Sequence, residues 1–466
     1  MASNSYDLVI LGSGTGGYSA ALRGANLGLS VGLVEKDKVG GTCLHRGCIP
    51  TKALLHAAEL VDGMHEAAER WGIKATVESI DYAATVANRE DIVTKNYKGL
   101  EGHLKKAKVD ILKGDGRVTG PRTVTVEGVG EVTAGKALVL ASGSTPKSIP
   151  GLEIDGRRVI NSDHALKLDY LPKSVIALGA GAVGVEFASF YRSMGAEVTV
   201  VEMLPGLVPL EDADAQKELA RAFKRRGIQV MVDTRFEDAK VDDDQVTVTV
   251  SSKGKTSEIT AELLLVCTGR GPVTADLGYE DIGVKLDRGF VVPKSWDTLE
   301  TDAEGVYAVG DLLPPPSLAL AHASFAEGML VAELAAGRPS PAIDYAGVAR
   351  VTYCTPEVAS VGLTEAQAKE RGHEVVTNRF PFNAVAKGLI HGQGGMVKLV
   401  AEKDGPVLGI HLVGARVTEL IAESMLVYNW EALPSDVAQF IHPHPTLSEA
   451  VGEAYLTLGG RPLHQG

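Results

Sequence analysis

The stretch Tyr6-Asp7-Leu8-Val9-Ile10-Leu11-Gly12-Ser13-Gly14-Thr15-Gly16-Gly17 decides the fold. Its first half is a short apolar run closed by glycine, the pattern of a buried parallel strand. Its second half lets the backbone turn tightly and approach a pyrophosphate, whose charge then rests at a helix N-terminus. An alanine-rich helical stretch runs from Tyr18 to Leu27, and a second strand, Ser30-Val31-Gly32-Leu33-Val34-Glu35, ends in an acid. Strand, turn, helix and strand in this order form the setting that a glycine fingerprint requires. The carboxylate of Glu35 is placed to accept hydrogen bonds from a ribose diol.

The unit recurs. Lys173-Ser174-Val175-Ile176-Ala177-Leu178 precedes Gly179-Ala180-Gly181-Ala182-Val183-Gly184, a helix is expected from Val185 to Met194, and Glu197-Val198-Thr199-Val200-Val201-Glu202 closes the copy. From first glycine to acid the interval is 23 residues in each (35 − 12 and 202 − 179). One glycine-rich turn with an incidental acid could be purely structural, but repetition of the whole spacing reads as two dinucleotide-binding units. The candidate residues are Gly12, Gly14, Gly17 and Glu35 in the first, and Gly179, Gly181, Gly184 and Glu202 in the second. A carboxylate at 202 repels a 2′-phosphate, so the second site is expected to prefer NAD to NADP.

Composition frames these units. A chain of 466 residues suggests about three domains and buries a core that needs no disulfide or metal staple. Four cysteines exclude a disulfide-rich secreted scaffold. With 46 Lys and Arg against 59 Asp and Glu, the net charge of −13 argues against general affinity for nucleic acid. Glycine, at 53 residues, is in surplus, as expected where backbone approaches ligands. The opening Met1-Ala2-Ser3-Asn4-Ser5 gives no expectation of a basic leader. No apolar stretch approaches the ~20 residues that span a bilayer. A soluble, cytoplasmic α/β protein is expected.

Between the units, Ala53 to Trp71 reads as an amphipathic helix on the spacing of Leu54, Leu55, Ala58 and Val61, and Val109 to Thr133 as short antiparallel strands. Leu138–Ala141 and Leu263–Val266 read as strands closed by Gly143 and Gly269, and Val306 to Asp311 as a buried strand ending in an acid. Pro314-Pro315-Pro316 marks a stiff bend. From about Tyr345 onward strand and helix signals mix (396–400, 407–413, 419–429), which suggests an α+β terminal domain.

Chemistry concentrates in Gly40-Gly41-Thr42-Cys43-Leu44-His45-Arg46-Gly47-Cys48-Ile49-Pro50-Thr51-Lys52. Two cysteines five positions apart can occupy neighbouring turns at the start of a helix, where a disulfide is feasible and the helix N-terminus favours thiolate. A single pair offers zinc only two ligands, and no adjacent Cys or His pair completes a site. Two buried, unpaired thiols are the plainer alternative. The context of a reducing compartment and a preceding dinucleotide site favours a redox pair. A second constellation is His442-Pro443-His444-Pro445-Thr446-Leu447-Ser448-Glu449, in which Glu449 can fix the tautomer of an imidazole and raise its basicity. Cys267 and Cys354 sit in apolar or strand-like contexts and read as core residues.

Two dinucleotide sites, a CxxxxC pair after the first and a C-terminal His-Pro-Thr…Glu resemble the FAD-dependent pyridine nucleotide–disulfide oxidoreductases over essentially the whole chain. The resemblance implies two Rossmann-like domains, for FAD and NAD, plus an α+β C-terminal dimerisation domain. The implied order is an FAD domain over 1–148, an NAD domain over 149–273, a return to the FAD domain over 274–344 and an interface domain over 345–466. Cys43 would be the exposed interchange thiol, Cys48 the thiol against the flavin, and His444, oriented by Glu449 and reaching the site from the other subunit of a homodimer, the proton shuttle. Lys52 and Glu186 resemble an ion pair beside the flavin, for which two helix-surface charges are the structural alternative. Further implied flavin contacts are Gly116, Ser142, Gly143, Asp311, Ala319 and His322, the last within Ala321-His322-Ala323 to Glu327-Gly328; Gly269 joins the NAD set.

Gly47-Cys48-Ile49-Pro50-Thr51-Lys52 resembles the family's lipoamide-oxidising branch. That implies dihydrolipoamide as substrate, and lipoyl domains or the acyltransferase core of 2-oxoacid dehydrogenase complexes as partners. A reductase for another small disulfide or a quinone is the alternative. His45-Arg46 departs from the Asn-Val common between the cysteines, Thr51 stands where serine is usual, and Cys354-Thr355-Pro356-Glu357 differs from the usual Thr-x-Pro-Glu. Arg46 is expected to lower the thiol pKa values.

Overall fold

The computed structural model describes residues 4–74 and 76–465. They form two compact units, each assembled from three separate stretches of chain.

The first unit takes residues 1–53, 83–147 and 270–345. Its sheet has the strand order Asp110–Lys113, Val31–Glu35, Ser5–Leu11, Gly130–Leu140, Thr123–Val126, Gly116–Gly120, with Val306–Ala308 also paired to Gly130–Leu140. Leu8, Val9 and Ile10 are wholly buried because Ser5–Leu11 has parallel strands on both edges and helices over its faces. Its neighbours lie on opposite sides, so strand order reverses at Leu11, the point where open α/β sheets bind ligands at their strand C-termini. The helix Thr15–Asn26 packs closely on Ala321–Ala335. Only glycine fits at Gly328, where a Cβ would come 2.2 Å from the Gly16 carbonyl oxygen.

The second unit takes residues 54–82, 148–269 and 346–466. It repeats the plan in a parallel sheet ordered Gln229–Met231, Glu197–Val201, Ser174–Leu178, Leu263–Val266, Val159–Asn161. A three-stranded antiparallel meander, Arg235–Val241, Val246–Ser252 and Lys255–Ala261, precedes Leu263–Val266. The terminal stretch is an antiparallel sheet ordered Arg350–Thr352, Glu357–Gly362, Val407–Gly414, Met396–Glu402, Val375–Pro381, with the helices Val417–Asn429 and Ser448–Leu458 packed on it. Among the described residues no helix is long and apolar enough to cross a membrane.

Several local expectations are corrected. Asp110–Lys113 pairs parallel with Val31–Glu35, so only the later strands of the 109–133 region are antiparallel. Val306–Ala308 stops before Gly310–Leu312, a short 3-10 turn, so Asp311 projects from a turn rather than a strand end. The helix expected from Ala53 begins at Cys48, and both glycine turns pass into helix earlier than expected, at Thr15 and Ala182. A helix unforeseen in the sequence, Tyr82–Lys106, covers part of the first unit with a mostly polar surface whose weak apolar periodicity hid it.

Candidate active site

The two glycine turns share their backbone geometry. Gly12 and Gly179 have φ of +104° and +102°, which L side chains rarely adopt. A Cβ on Gly17 would lie 1.9 Å from the Gly12 carbonyl oxygen, and one on Gly184 1.9 Å from that of Gly179. At Gly14 and Gly181 a Cβ would meet nothing within 4 Å. The outer glycines are thus demanded by the fold, whereas the middle ones leave open space at the N-terminus of a helix. That is the space a pyrophosphate needs, and the donors present suit its charge.

The terminal acids are held alike. Glu35 accepts from the Ser13 N–H at 3.1 Å and the Asp37 N–H at 2.8 Å. Glu202 accepts from the Ala180 N–H at 2.7 Å and the Leu204 N–H at 2.8 Å. Each carboxylate is therefore fixed beside its own glycine turn, where a ribose diol would lie.

Cys43 and Cys48 form a disulfide with Cα atoms 4.7 Å apart. The cysteines do not share one helix. Cys43 lies in Gly41–Arg46, Gly47 breaks the helix, and Cys48 is the first residue of Cys48–Arg70, where free N–H groups favour a thiolate on reduction. The segment is docked on the first glycine turn: the Gly40 N–H donates to the Ser13 carbonyl at 2.9 Å. A Cβ on Gly41 would stand 2.6 Å from Gly14 Cα. Arg46 is 3.7 Å from the Asp37 carboxylate, which offsets the positive charge expected to act on the thiols. His45 bonds the Val39 carbonyl at 2.9 Å through Nε2 and packs edge-on against Tyr97.

The remaining first-unit candidates occupy several local settings. Asp311 accepts from the Ser144 hydroxyl and lies 3.9 Å from Arg270; burial raises its pKa. Ser142 donates to the Val273 carbonyl and shares a 2.8 Å bond with the Tyr279 hydroxyl. Gly143 takes φ +75°, and Ala319 takes φ +50°, a strained value for a residue with a Cβ. His322 is on the first turn of Ala321–Ala335. Gly116 is a packing requirement, since its Cβ would press on Leu11, Val34 and Val124. Lys52 lies on the helix begun by Cys48.

In the second unit, Gly269 takes φ +116° after Leu263–Val266. Glu186 is 4% exposed on Ala182–Ser193 and accepts from the Tyr353 N–H at 3.0 Å, so it is no surface charge. His444 Nδ1 meets Glu449 at 2.7 Å, and Glu449 also accepts from the Thr446 N–H at 2.8 Å. Against the opposing effect of burial, these two partners hold the Glu449 carboxyl below its ordinary range. The His444 side chain is 74% exposed, beside Ile441 at 97%. Cys354 is buried and Cys267 partly so; neither is in a disulfide.

Two groups gained significance only in the structure. Glu327, wholly buried, accepts from the Gly310 N–H at 2.6 Å and from the Ser317 and Tyr345 hydroxyls at 2.9 Å each; burial raises its pKa despite these bonds. Arg270 donates to the Ser144 carbonyl at 2.7 Å. Its only sequence signal was the Gly-Arg-Gly after Leu263–Val266, whose Arg270–Pro272 strand pairs with Ser144–Pro146.

Comparison with known proteins agrees with this geometry. Residues 6–328 match the pyridine nucleotide-disulphide oxidoreductase model, and residues 348–455 match the dimerisation domain of the same family. A dihydrolipoyl dehydrogenase of Bacillus subtilis is 40% identical, covering 98% of this chain and 99% of that protein. Another from Thermus scotoductus is 41% identical, covering 98% of each. The crystal structure of LpdA from Mycobacterium tuberculosis aligns with a TM-score of 0.86 at 26% identity, covering 97% of this chain and 99% of that one. With two dinucleotide turns, a disulfide docked on the first and a matching dimerisation domain, the chain belongs to the pyridine nucleotide-disulphide oxidoreductases, whose cofactors are FAD and NAD.

Proposed function

We propose that this protein is a dihydrolipoyl dehydrogenase, oxidising a dihydrolipoyl dithiol to the cyclic disulfide with reduction of NAD⁺ to NADH and release of a proton. The observation that carries the reading is the Cys43–Cys48 disulfide seated on the first glycine turn, in a chain 40% identical over nearly its full length to a dihydrolipoyl dehydrogenase. FAD, when bound, supplies the two-electron relay between the sulfur pair and the nicotinamide.

The residues divide the exchange between them. A substrate thiolate attacks Cys43 Sγ, forming a mixed disulfide and releasing Cys48 as a thiolate that the helix N-terminus stabilises. The second substrate thiol attacks its own partner sulfur in the mixed disulfide, closing the lipoyl ring and releasing Cys43. His444 accepts a proton from the substrate dithiol through Nε2, because Glu449 holds Nδ1. The exposed imidazole and the match to a dimerisation domain support a homodimer in which a second copy completes the site. Glu202 supports NAD over NADP. Lipoyl domains of a 2-oxoacid dehydrogenase complex are the proposed source of the dithiol.

Steady-state assay of the purified dimer tests this, with dihydrolipoamide and NAD⁺ against NADPH-driven reduction of glutathione disulfide or a quinone. Turnover should be greatest with the first pair and absent in Cys48→Ser. A preference for either alternative acceptor would overturn the assignment.

A further inference from the structure

The terminal antiparallel sheet carries a polar row across one face. Cross-strand pairing aligns Arg350 with Ser360, Ser360 with His411, His411 with Lys398, and Lys398 with Arg379. The three cations of this row meet acids on and just before the helix Ala213–Arg225, and Lys398 also meets Glu365 of the helix Glu365–Glu370. Arg350 pairs with Glu211 at 3.2 Å and Arg379 with Glu218 at 3.2 Å. Lys398, 3% exposed, reaches Asp212 at 2.9 Å, Asp214 at 2.8 Å and Glu365 at 2.7 Å.

Glu211, Asp212 and Asp214 end the segment that follows the strand Glu197–Val201 and Glu202 and leads into this helix. Within it Val208, buried and β-branched, is held at φ +44°, a strained conformation that persists only when its surroundings over-determine it. Its N–H donates to the Ala180 carbonyl at 2.8 Å, and its carbonyl accepts from the Glu211 N–H at 2.8 Å. The Ala180 N–H in turn donates to Glu202. Lys398 and Arg350 thus hold the adjacent residues Asp212 and Glu211, and the Glu211 N–H and Val208 N–H carry that anchorage to the Ala180 carbonyl of the glycine turn.

We propose that Lys398, with Arg350, is a positioning residue for the pyridine-nucleotide site, pinning residues 208–214 so that strained Val208 stays bonded to the Ala180 carbonyl. The inference rests on reading the second glycine turn as the NAD site. Released from Asp212, Asp214 and Glu365, the segment would let Val208 relax, and the turn would lose the shape that presents Ala180 to Glu202.

Calorimetric titration of NAD⁺ into the purified holoenzyme tests this, together with the rate of thiol formation when dihydrolipoamide reduces the enzyme without NAD⁺. Lys398→Met should weaken NAD⁺ binding at least tenfold and leave the dithiol half-reaction within twofold of wild type; Lys398→Arg should recover most of the affinity. Val208→Gly, which removes the strain, should restore at least half of the lost binding in the Lys398→Met background. Should Lys398→Met not fold, Arg350→Met should show the same selective loss. Unchanged affinity in the Met variants, equal loss in both half-reactions, or no rescue by Val208→Gly would overturn the positioning role. Gly181→Val separates the two levels: unchanged NAD⁺ binding there overturns the site assignment itself.

Discussion

The Ala180 N–H donates to the Glu202 carboxylate at 2.7 Å, and the Ser13 N–H makes the equivalent bond to Glu35 at 3.1 Å. The copies differ in one respect. The Ser13 hydroxyl also donates to Glu35, whereas Ala180 has no hydroxyl, so Glu202 keeps more acceptor capacity for a ribose. Glu202→Ala should weaken NAD⁺ binding about tenfold, or ~1.4 kcal/mol, and narrow the preference over NADP⁺. Parallel titrations of the two nucleotides measure both effects.

The glycines of the second turn should separate into two classes. Gly184→Ala sets a Cβ 1.9 Å from the Gly179 carbonyl oxygen and should lower the melting temperature by several degrees or prevent folding. Gly181→Ala, whose Cβ meets nothing within 4 Å, should melt like wild type yet bind NAD⁺ more weakly. Calorimetric melting beside nucleotide titration distinguishes these; equal melting temperatures in the two variants would count against the geometry.

His444→Ala should slow dithiol oxidation by about 10²–10⁴-fold, the usual contribution of a general base, while NADH-driven reactions that bypass the dithiol change little. Glu449→Gln should fall between, because the amide still orients the ring but supports its charge poorly. The Glu449 carboxyl is held below its ordinary range, so it stays ionised down through pH 5. Its stabilising contribution is present above the unfolded carboxylate pKa of about 4.3 and is lost only as pH falls through the lower folded value. Melting curves taken as pH falls below 5 should therefore show a smaller loss of stability in Glu449→Gln than in wild type.

Glu327 has the opposite sign. Burial raises its pKa, so its contribution is fully present below the unfolded value and declines as pH rises through the folded one. Glu327→Gln leaves the Gly310 N–H facing an amide donor and should cost about 1–3 kcal/mol at pH 5. The deficit should shrink as pH is raised, because the wild type alone can take on a buried charge. Melting curves at pH 5 and under alkaline conditions read the difference.

Thiol counting reports the redox state directly. The oxidised chain, once denatured, should yield two thiols, Cys267 and Cys354, and four after dihydrolipoamide reduction. Before denaturation Cys354 should not react, since burial both hides its thiol and raises its pKa far above the usual range.

Much of the first unit was legible because its signals are local. The run 6–17 specifies a strand by apolar composition and a turn by glycine, and the repeat at 173–184 removes coincidence. His444 and Glu449 were legible for the same reason, being five residues apart on one turn. Glu327 and Lys398 were not. A buried carboxylate and a buried ammonium look like solvated helix and strand charges until residues far along the chain supply their partners. The break at Gly47 was equally hidden, since CxxxxC spacing fits one continuous helix as well as two.

By itself, the sequence determined two nucleotide-binding turns, a cysteine pair and an α+β terminus, because backbone conformational freedom and hydrophobic periodicity act over a few residues. Only the tertiary structure decided which charges are buried, which carboxylates have shifted pKa values, and that a lysine of the terminal sheet is paired with the acids Asp212 and Asp214 of the nucleotide-binding stretch. Desolvation and ion pairing depend on what surrounds a group in three dimensions, and chain order alone does not state it.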